Sequence, residues 1–309
     1  MGKRFLVSRL SALGDVVCTL PVASSLKAAF PDSHISWVVD PRFAGIVECC
    51  AAVDKVIRAK PGKSPSTWPK FDEPFDAALD MQGLFKSGVC TLNSRAKERV
   101  GYHWQREGSW LFTAKVLPDP SSLHVVDQYV DVARSLGGNS EAVFGLEPKA
   151  EDTASIASKL SEKGIDGEYV VMNPGAGWVS KRWPPESFAQ LADRLDVPVV
   201  FIGGPAASDQ AAMDEVKAHA KKEHVSLVGQ TSVRELVALI QGCRAHVGGD
   251  TGSTHLASAL GRPAIGLYSI TNPVRSCPYG QIDRCHFESG GLANIRVEAV
   301  YKTVMEALA

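Results

Sequence analysis

Short apolar segments alternate with amphipathic segments along most of the 309-residue chain. The apolar runs are rich in β-branched residues, as in RFLVS, HISWVV, YVVMN, PVVFIGG and PAIGLYS. Strands that are apolar on both faces are typical of parallel sheets, whose crossover helices cover both sides. The alternation therefore predicts an α/β protein made of doubly wound parallel sheets.

The alternation pauses at the charged stretch EPKAEDTASIASKLSEKG and then restarts. A chain of this length can form two domains with a core each. We therefore predict two Rossmann-like domains, residues 1–150 and 151–309, with a cleft between them. The last amphipathic segment, about residues 296–309, is expected to pack on the first domain. Ligands are expected beyond the carboxyl ends of the strands.

Composition excludes several classes of protein. A formal net charge of -1 argues against a dedicated nucleic-acid binder. The seven cysteines include no CxxC pair, which favours reduced thiols over zinc ligands or disulfides. No secretory signal pattern opens the chain, and its apolar runs are shorter than a membrane span. We expect a cytoplasmic protein that needs no metal or other cofactor.

The segment GGDTGSTHLA, residues 248–257, follows an apolar strand and begins a predicted helix. The amides of Thr251, Gly252, Ser253 and Thr254 would then be donors at a helix N-terminus, which favours a phosphate. His255 lies one turn later and is expected to face the same ligand. The alternative is an ordinary capped core helix. Asp250 places a carboxylate beside these expected phosphates. We interpret it as an acceptor of hydrogen bonds from ligand hydroxyls. Phosphates next to hydroxyls indicate a nucleotide sugar.

A second candidate cradle is NPGAGWVSKRWPPESF, residues 173–188. A strand ends here in a glycine-rich turn that includes Gly177, and two cations follow, Lys181 and Arg182. Pro184 and Pro185 then begin a helix. These features favour a phosphate site, although the pattern is not a P-loop. Solvated surface cations are the alternative.

The first half carries two more candidate segments. In SRLSALGDVV, Asp15 follows the first strand and is either a general base or a helix cap. In LDMQGLFKSG, polar side chains cluster after a strand: Asp80, Gln82, Lys86 and Ser87. The following segment interleaves cations with aromatic residues: Arg95, Lys97, Arg99 and Arg106 with Trp104, Trp110 and Phe112. That mixture suits an anionic, partly apolar partner, and a charged helix face is the alternative.

Four motifs in a fixed order resemble glycosyltransferase family 9, the bacterial heptosyltransferases. They are SALGDVV, DMQGLFKS, NPGAGWVSKRWP and GDTGSTHLASALGRP, and they extend over nearly the whole chain. The resemblance implies the GT-B fold and a metal-independent, inverting transfer of L-glycero-D-manno-heptose from ADP-heptose. The implied acceptor is the Kdo-type inner core of lipopolysaccharide, and DMQGLFKS is most similar to type I enzymes.

The same resemblance implies roles for particular residues. Asp15 matches the general base, and Lys181 matches the lysine that contacts the donor diphosphate. The donor loop would include Asp250, Thr251, Gly252 and His255. The acidic acceptor sugar would be bound near Arg106 and Arg99, together with Gln82 and Lys86. A lipid-linked acceptor implies peripheral contact with the cytoplasmic face of the inner membrane.

Other functions are compatible with parts of this pattern. They are a family 9 transferase for another nucleotide sugar, a UDP-sugar 2-epimerase of the same architecture, and a two-lobed ligand-binding protein. A dinucleotide oxidoreductase is disfavoured, because no G-x-G-x-x-G follows the first strand.

Overall fold

A computed structural model of the chain describes residues 2–177 and 181–309. The chain divides into two compact units, residues 1–147 and 148–309. Each unit contains a six-stranded parallel sheet with helical crossovers, as the alternating sequence predicts. The two Rossmann-like α/β units of the prediction are therefore confirmed.

The first unit has the strand order β3-β2-β1-β4-β5-β6, and every neighbouring pair is parallel. Its strands are β1 (Arg4–Ser8), β2 (His34–Val39), β3 (Lys55–Arg58), β4 (Ala77–Asp80), β5 (Glu98–Tyr102) and β6 (Ala114–Val116). Its helices are α1 (Leu13–Ala29), α2 (Ala44–Glu48), α3 (Phe85–Asn93) and α4 (Val125–Ser135). The chain reverses its direction across the sheet between β1 and β4, which creates a crevice at their carboxyl ends.

The second unit has the order β12-β11-β10-β7-β8-β9, again fully parallel. Its strands are β7 (Val170–Asn173), β8 (Val199–Phe201), β9 (Val225–Ser226), β10 (Ala245–Gly249), β11 (Ala264–Tyr268) and β12 (Cys285–Phe287). Its helices are α5 (Ala150–Ser161), α6 (Pro185–Arg194), α7 (Ala207–His219), α8 (Val233–Gly242), α9 (Gly252–Ala259), α10 (Pro273–Ser276) and α11 (Val297–Leu308). The corresponding reversal lies between β7 and β10.

The core of the second unit contains the apolar face of α6 and two valines of α11. Val300 and Val304 are fully buried in this core, and the buried Trp183 indole donates to the carbonyl of Ile295 at 3.0 Å. The buried face of the last segment therefore packs within its own unit, and packing of this segment on the first domain stays a prediction. The apolar side chains of α11 are buried against α6 and the sheet of their own unit.

Two stretches differ from their sequence interpretation. The charged stretch at the predicted domain boundary contains helix α5, whose buried residues include Ile156 and Leu160. The cation-rich segment after α3 is not a charged helix, because it forms strand β5. Residues 97–99, just before and at the start of this strand, alternate in charge, and only Val100 to Tyr102 are buried. The sequence of this segment therefore does not show the apolar pattern that indicates a strand.

Helix α8 begins with a capping box. The Ser232 amide donates to the Glu235 carboxylate at 2.8 Å, and the Ser232 hydroxyl accepts from the Glu235 amide at 3.2 Å. Glu235 also accepts from Ser155 and Lys159 of α5, both at 2.7 Å. Burial alone would raise the pKa of Glu235, but these hydrogen bonds outweigh it and lower the pKa to about 2.

We predict that Glu235→Gln destabilises the protein at neutral pH by about 1–2 kcal/mol, because it weakens a cap and an inter-helix ion pair. A folded-state pKa of about 2 lies below the unfolded value of about 4.3, so this stability is present at neutral pH. It declines as the pH falls from about 4.3 towards 2. Denaturant unfolding at several pH values checks this, with the exposed Glu215→Gln in α7 as control. A pH-independent difference would contradict it.

Candidate functional site

All four sequence motifs lie at the two positions where strand order reverses. In the first unit, residues 9–15 follow β1 and residues 81–87 follow β4. In the second unit, residues 174–182 follow β7 and residues 250–255 follow β10. Adjacent loops diverge at such a reversal because their helices cross to opposite faces of the sheet, and the crevice between them binds ligands.

Asp250 is the centre of a polar network in the second unit. Its Oδ2 accepts from Lys181 Nζ at 2.5 Å and from Thr271 Oγ1 at 2.8 Å. Its Oδ1 lies 3.3 Å from His255 Nε2. Burial alone would raise the pKa of Asp250, but His255 and Lys181 outweigh it and hold the pKa well below its usual range. The carboxylate is therefore ionised at neutral pH and anchors the lysine.

Donors from the protein itself surround Asp250, and its predicted contact with a ligand hydroxyl stays a prediction. A carboxylate offers about four acceptor positions, and three protein donors already occupy most of them. A ligand hydroxyl would have to compete with Lys181, Thr271 or His255. The described contacts therefore show Asp250 as the residue that orients Lys181 and His255.

Two hydroxyl side chains of the loop after β10, Ser253 and Thr254, are buried in the protein. Thr254 is fully buried, and its hydroxyl donates to the Gly249 carbonyl at 2.7 Å. Its amide is bonded to the Thr251 carbonyl at 3.2 Å. Ser253 is buried as well, whereas Thr251 and Gly252 are partly exposed at the start of α9. The polar groups of Thr254 therefore hold the loop together, and its predicted contact with a donor stays a prediction.

Asn173, which the sequence interpretation missed, joins the two loops of this crevice. Its side-chain amide donates to Ser253 Oγ at 2.9 Å, and its Oδ1 accepts from the Gly175 amide at 3.0 Å. Asn173 is the last residue of β7, and a polar side chain ending an otherwise apolar strand was the available signal. Thr271, which follows β11, offered no comparable signal.

The loop after β7 presents Lys181 but not Arg182. The Arg182 guanidinium donates to the Ala176 carbonyl at 3.0 and 3.2 Å, so it closes the loop rather than facing a ligand. Gly249 allows this loop to cross β10, because a Cβ there would lie 2.7 Å from the Lys181 carbonyl oxygen. Gly177 is exposed, and residues 178–180 of the glycine-rich turn lie outside the described residues.

Asp15 in the first unit pairs with a cation that the sequence interpretation also missed. Its Oδ1 lies 2.7 Å from Arg9 Nη2, and its Oδ2 accepts from the Ala12 amide at 3.2 Å. Arg9 is buried, donates to the Met81 carbonyl and lies 5.3 Å from the ring centroid of Tyr129. Asp15 is therefore not the N-cap of α1, which is Ala12, but lies in the first turn and accepts from the amide of that N-cap residue. The two contacts hold its carboxylate in a fixed orientation.

The two carboxylate–cation pairs have opposite exposure. In the first unit the Arg9 side chain is 6% exposed and that of Asp15 is 52% exposed. In the second unit Asp250 is 14% exposed and Lys181 is 24% exposed. The first crevice thus presents negative charge, and the second presents positive charge beside a helix N-terminus.

Gln82 connects the loops after β1 and β4. Its Oε1 accepts from the Leu10 amide at 2.8 Å, and its Nε2 lies 3.4 Å from Ser11 Oγ. The buried Asp80 accepts from the amides of Gln82 and Gly83 at 3.1 and 2.9 Å. Burial raises the pKa of Asp80. These contacts give Asp80 a structural role in the turn.

The predicted acceptor cations do not all lie together. Lys86 is exposed at the start of α3, and Arg106 is exposed in the loop after β5, 5.8 Å from the Trp104 ring. The Arg106 amide donates to the Gly83 carbonyl at 2.7 Å, which brings these two loops together. Arg99 instead pairs with Ala78 inside the sheet, about 7 Å before the carboxyl end of β4. The structure therefore separates Arg99 from the other predicted acceptor residues.

No group of three His, Cys, Asp or Glu side chains is placed to hold a metal ion within residues 2–177 and 181–309. In the same part of the chain, no helix has the length and apolar character needed to cross a bilayer.

Two Rossmann-like units, each with polar loops where its strand order reverses, define the GT-B class of nucleotide-sugar enzymes. The chain belongs to glycosyltransferase family 9 (heptosyltransferase), whose family model matches residues 71–298. It is 29% identical to the lipopolysaccharide core heptosyltransferase OpsX of Haemophilus influenzae, over 91% of this chain and 83% of that protein. It is 28% identical to lipopolysaccharide heptosyltransferase 1 of Escherichia coli K12, over 96% and 98% of the two chains.

A solved structure has the same fold. The E. coli heptosyltransferase WaaC with ADP superposes with a TM-score of 0.78 at 23% identity, covering 98% of this chain and 99% of that one. The expected GT-B fold and the resemblance to type I heptosyltransferases are therefore confirmed.

We predict that Asp250→Asn lowers the free energy of unfolding by about 2–4 kcal/mol, because it removes the charge that Lys181 and His255 face in a largely buried site. Chemical denaturation monitored by circular dichroism checks this. The control is Asp214→Asn, which changes an exposed carboxylate in α7. Equal stability of Asp250→Asn and the control would show that the network does not hold this site together.

Proposed function

We propose that this protein transfers L-glycero-D-manno-heptose from ADP-heptose to a Kdo-type inner-core acceptor of lipopolysaccharide, with inversion and without a metal. Family membership supports heptosyl transfer, and the names of both relatives include lipopolysaccharide. The observation that carries the proposal is the opposite exposure of the two ion pairs. A half-buried cation that is more accessible than its carboxylate partner suits an anionic donor, and an exposed carboxylate suits an acceptor hydroxyl.

The donor diphosphate would bind at the second crevice. Lys181 Nζ has three protons, of which the contact with Asp250 uses one, so others remain to bind phosphate oxygens. The first amides of α9 and its dipole add positive potential at Thr251 and Gly252. Negative charge develops on the departing ADP, and these preorganised groups would stabilise it. The WaaC structure with ADP supports the choice of nucleotide through its similar fold.

The acceptor would bind at the first crevice. Asp15 would accept the proton of the attacking hydroxyl, and Arg9 would hold its carboxylate in the orientation that this transfer requires. Gln82, Lys86 and Arg106 lie on adjacent loops and would bind an acidic sugar by hydrogen bonds and charge. Attack on the sugar face opposite the departing ADP inverts the anomeric centre. We further propose peripheral association with the cytoplasmic face of the inner membrane, where a lipid-linked acceptor would be available.

We predict that ADP and ADP-heptose raise the unfolding midpoint, whereas UDP and GDP do not. A ligand at about 100 times its Kd stabilises the folded state by about 2.7 kcal/mol.

Lys181→Ala should weaken ADP binding by about tenfold to a hundredfold, as expected for a lost charge-assisted hydrogen bond. The exposed Lys217→Ala in α7 serves as control. Selective stabilisation by UDP or GDP would support another nucleotide sugar and contradict the heptose donor.

We predict that Asp15→Ala retains ADP binding but lowers kcat by on the order of 10²–10⁴-fold, the range for a lost general base. Asp32→Ala, at an exposed position on the amino-terminal side of the same sheet, is the matched control. Turnover with ADP-heptose and a Kdo-containing acceptor measures the effect. Near-normal kcat of Asp15→Ala would show that Asp15 is not the general base. Release of free epimerised sugar by the wild type without an acceptor would indicate an epimerase.

A further inference from the structure

The loop after β11 places a threonine hydroxyl beside the lysine of the second crevice. The Thr271 hydroxyl is bonded to Asp250 Oδ2 at 2.8 Å, and the same oxygen accepts from Lys181 Nζ at 2.5 Å. Because both groups bind one oxygen atom, the Thr271 hydroxyl and the Lys181 ammonium are neighbours. Thr271 is half-buried, so part of its side chain is accessible to a ligand.

The bond to Asp250 fixes the direction of the Thr271 proton. His255 and Lys181 lower the pKa of Asp250 and keep it ionised, and an ionised carboxylate only accepts. The hydroxyl is therefore the donor in this bond, and its oxygen retains lone pairs that can accept. Within residues 2–177 and 181–309, the bond to Asp250 is the only hydrogen bond of this oxygen.

The site thus presents a donor and an acceptor side by side. Lys181 offers protons, which suit phosphate oxygens, whereas Thr271 offers lone pairs, which suit hydroxyl groups. Asp250 holds both, and a hydroxyl that donates to a carboxylate is itself a stronger acceptor, because hydrogen bonds in a chain polarise one another. This pair of neighbours matches a ligand in which a phosphate lies next to hydroxyls.

The loop that carries Thr271 is held at both ends. At its start, the buried Tyr268 hydroxyl donates to the Ser276 carbonyl at 3.0 Å. At its end, Asn272 Oδ1 accepts from the Val274 amide at 3.0 Å and caps α10. An acceptor that is oriented before the ligand arrives loses little conformational freedom on binding.

Apolar side chains lie on both sides of Thr271 in the sequence. Ile270 is 65% exposed and Val274 is 46% exposed. Sites for small ligands combine apolar surface with a few fixed polar groups. The exposed aliphatic groups suit the C–H groups of a sugar ring, whose hydroxyls would then meet the fixed acceptor.

The sheet order indicates which part of a nucleotide sugar lies near Thr271. A nucleotide is expected in the crevice between β7 and β10, where the strand order reverses. Strand β11 lies on the other side of β10. A diphosphate bound by Lys181 at the end of β10 would therefore direct its nucleoside towards β7 and its sugar towards β11 and Thr271.

We propose that Thr271 accepts a hydrogen bond from a hydroxyl group of the sugar that the donor carries, and that it thereby favours the nucleotide sugar over the free nucleotide. This rests on the proposed function, because it requires a nucleotide-sugar donor at Lys181. It adds Thr271 to the hydroxyl contact that the sequence suggested for Asp250 alone.

The test is titration calorimetry of the full chain with ADP and with ADP-heptose, without an acceptor. Thr271→Val keeps the shape of the side chain and removes the hydroxyl. It should weaken ADP-heptose binding by about tenfold, as expected for one lost hydrogen bond, and leave the Kd of ADP within about twofold of the wild-type value. Thr271→Ser retains the hydroxyl and should bind both ligands as the wild type does.

Two further variants separate this contact from general effects on the fold. Thr271→Ala also lacks the hydroxyl and should show the same selective loss. Thr153→Val makes the same substitution at an exposed position of α5 in the same unit and should change neither Kd. Each variant is compared only if it unfolds cooperatively, as the wild type does.

Three results would overturn the role of Thr271. Equal weakening of ADP and ADP-heptose by Thr271→Val would show that the residue acts on the phosphate site through Lys181. Unchanged binding of both ligands would show that the hydroxyl contacts neither. A loss in Thr271→Ser as large as in Thr271→Val would show that the hydroxyl is not the group that matters.

Parallel titrations with UDP and UDP-glucose separate this inference from the proposed donor. If the wild type binds that pair and not the ADP pair, the heptose donor is wrong, and the same variants still test Thr271. A selective loss of UDP-glucose binding in Thr271→Val would then support its contact with the sugar, and an equal or absent loss would overturn it. No binding of either pair would overturn both proposals.

Discussion

The reversal of strand order in each sheet is the constraint on which the described sites depend. In a doubly wound sheet, the loops after β1 and β4, and after β7 and β10, lead to helices on opposite faces. The adjacent strand ends are therefore left open to a ligand. Both sheets must bury apolar strands on two faces, so polar groups are concentrated at these strand ends.

Each reversal holds one carboxylate–cation pair, and burial decides which partner is presented. Arg9 is buried at the start of the loop after β1, so Asp15 is the accessible member of its pair. Asp250 is surrounded by donors from three segments, so Lys181 is more accessible than its partner. A glycosyltransferase needs both environments, because its donor is anionic and its acceptor hydroxyl must lose a proton. The same type of ion pair would thus serve two opposite tasks in the two units.

Much of the fold was predictable because parallel strands that are buried on both faces are encoded locally by apolar runs. The failures have physical causes. Strand β5 begins with the exposed Glu98 and the half-buried Arg99, so the sequence of its first half does not show the apolar pattern of a buried strand. Helix α5 was hidden in a charged stretch, since only a narrow face is buried against α8. Arg182 appeared equivalent to Lys181, although it is bonded to a carbonyl of its own loop.

The sequence by itself determined the fold class, the positions of the four motifs and the family, because periodicity and motif order are properties of the chain. Only the tertiary structure decided which polar groups are accessible and which hold the loops together. Thr254, Asp250 and Arg9 illustrate this, since their partners come from other strand ends or from backbone carbonyls. Hydrogen bonding and burial depend on neighbours distant in sequence, and a local pattern of residue types does not specify them.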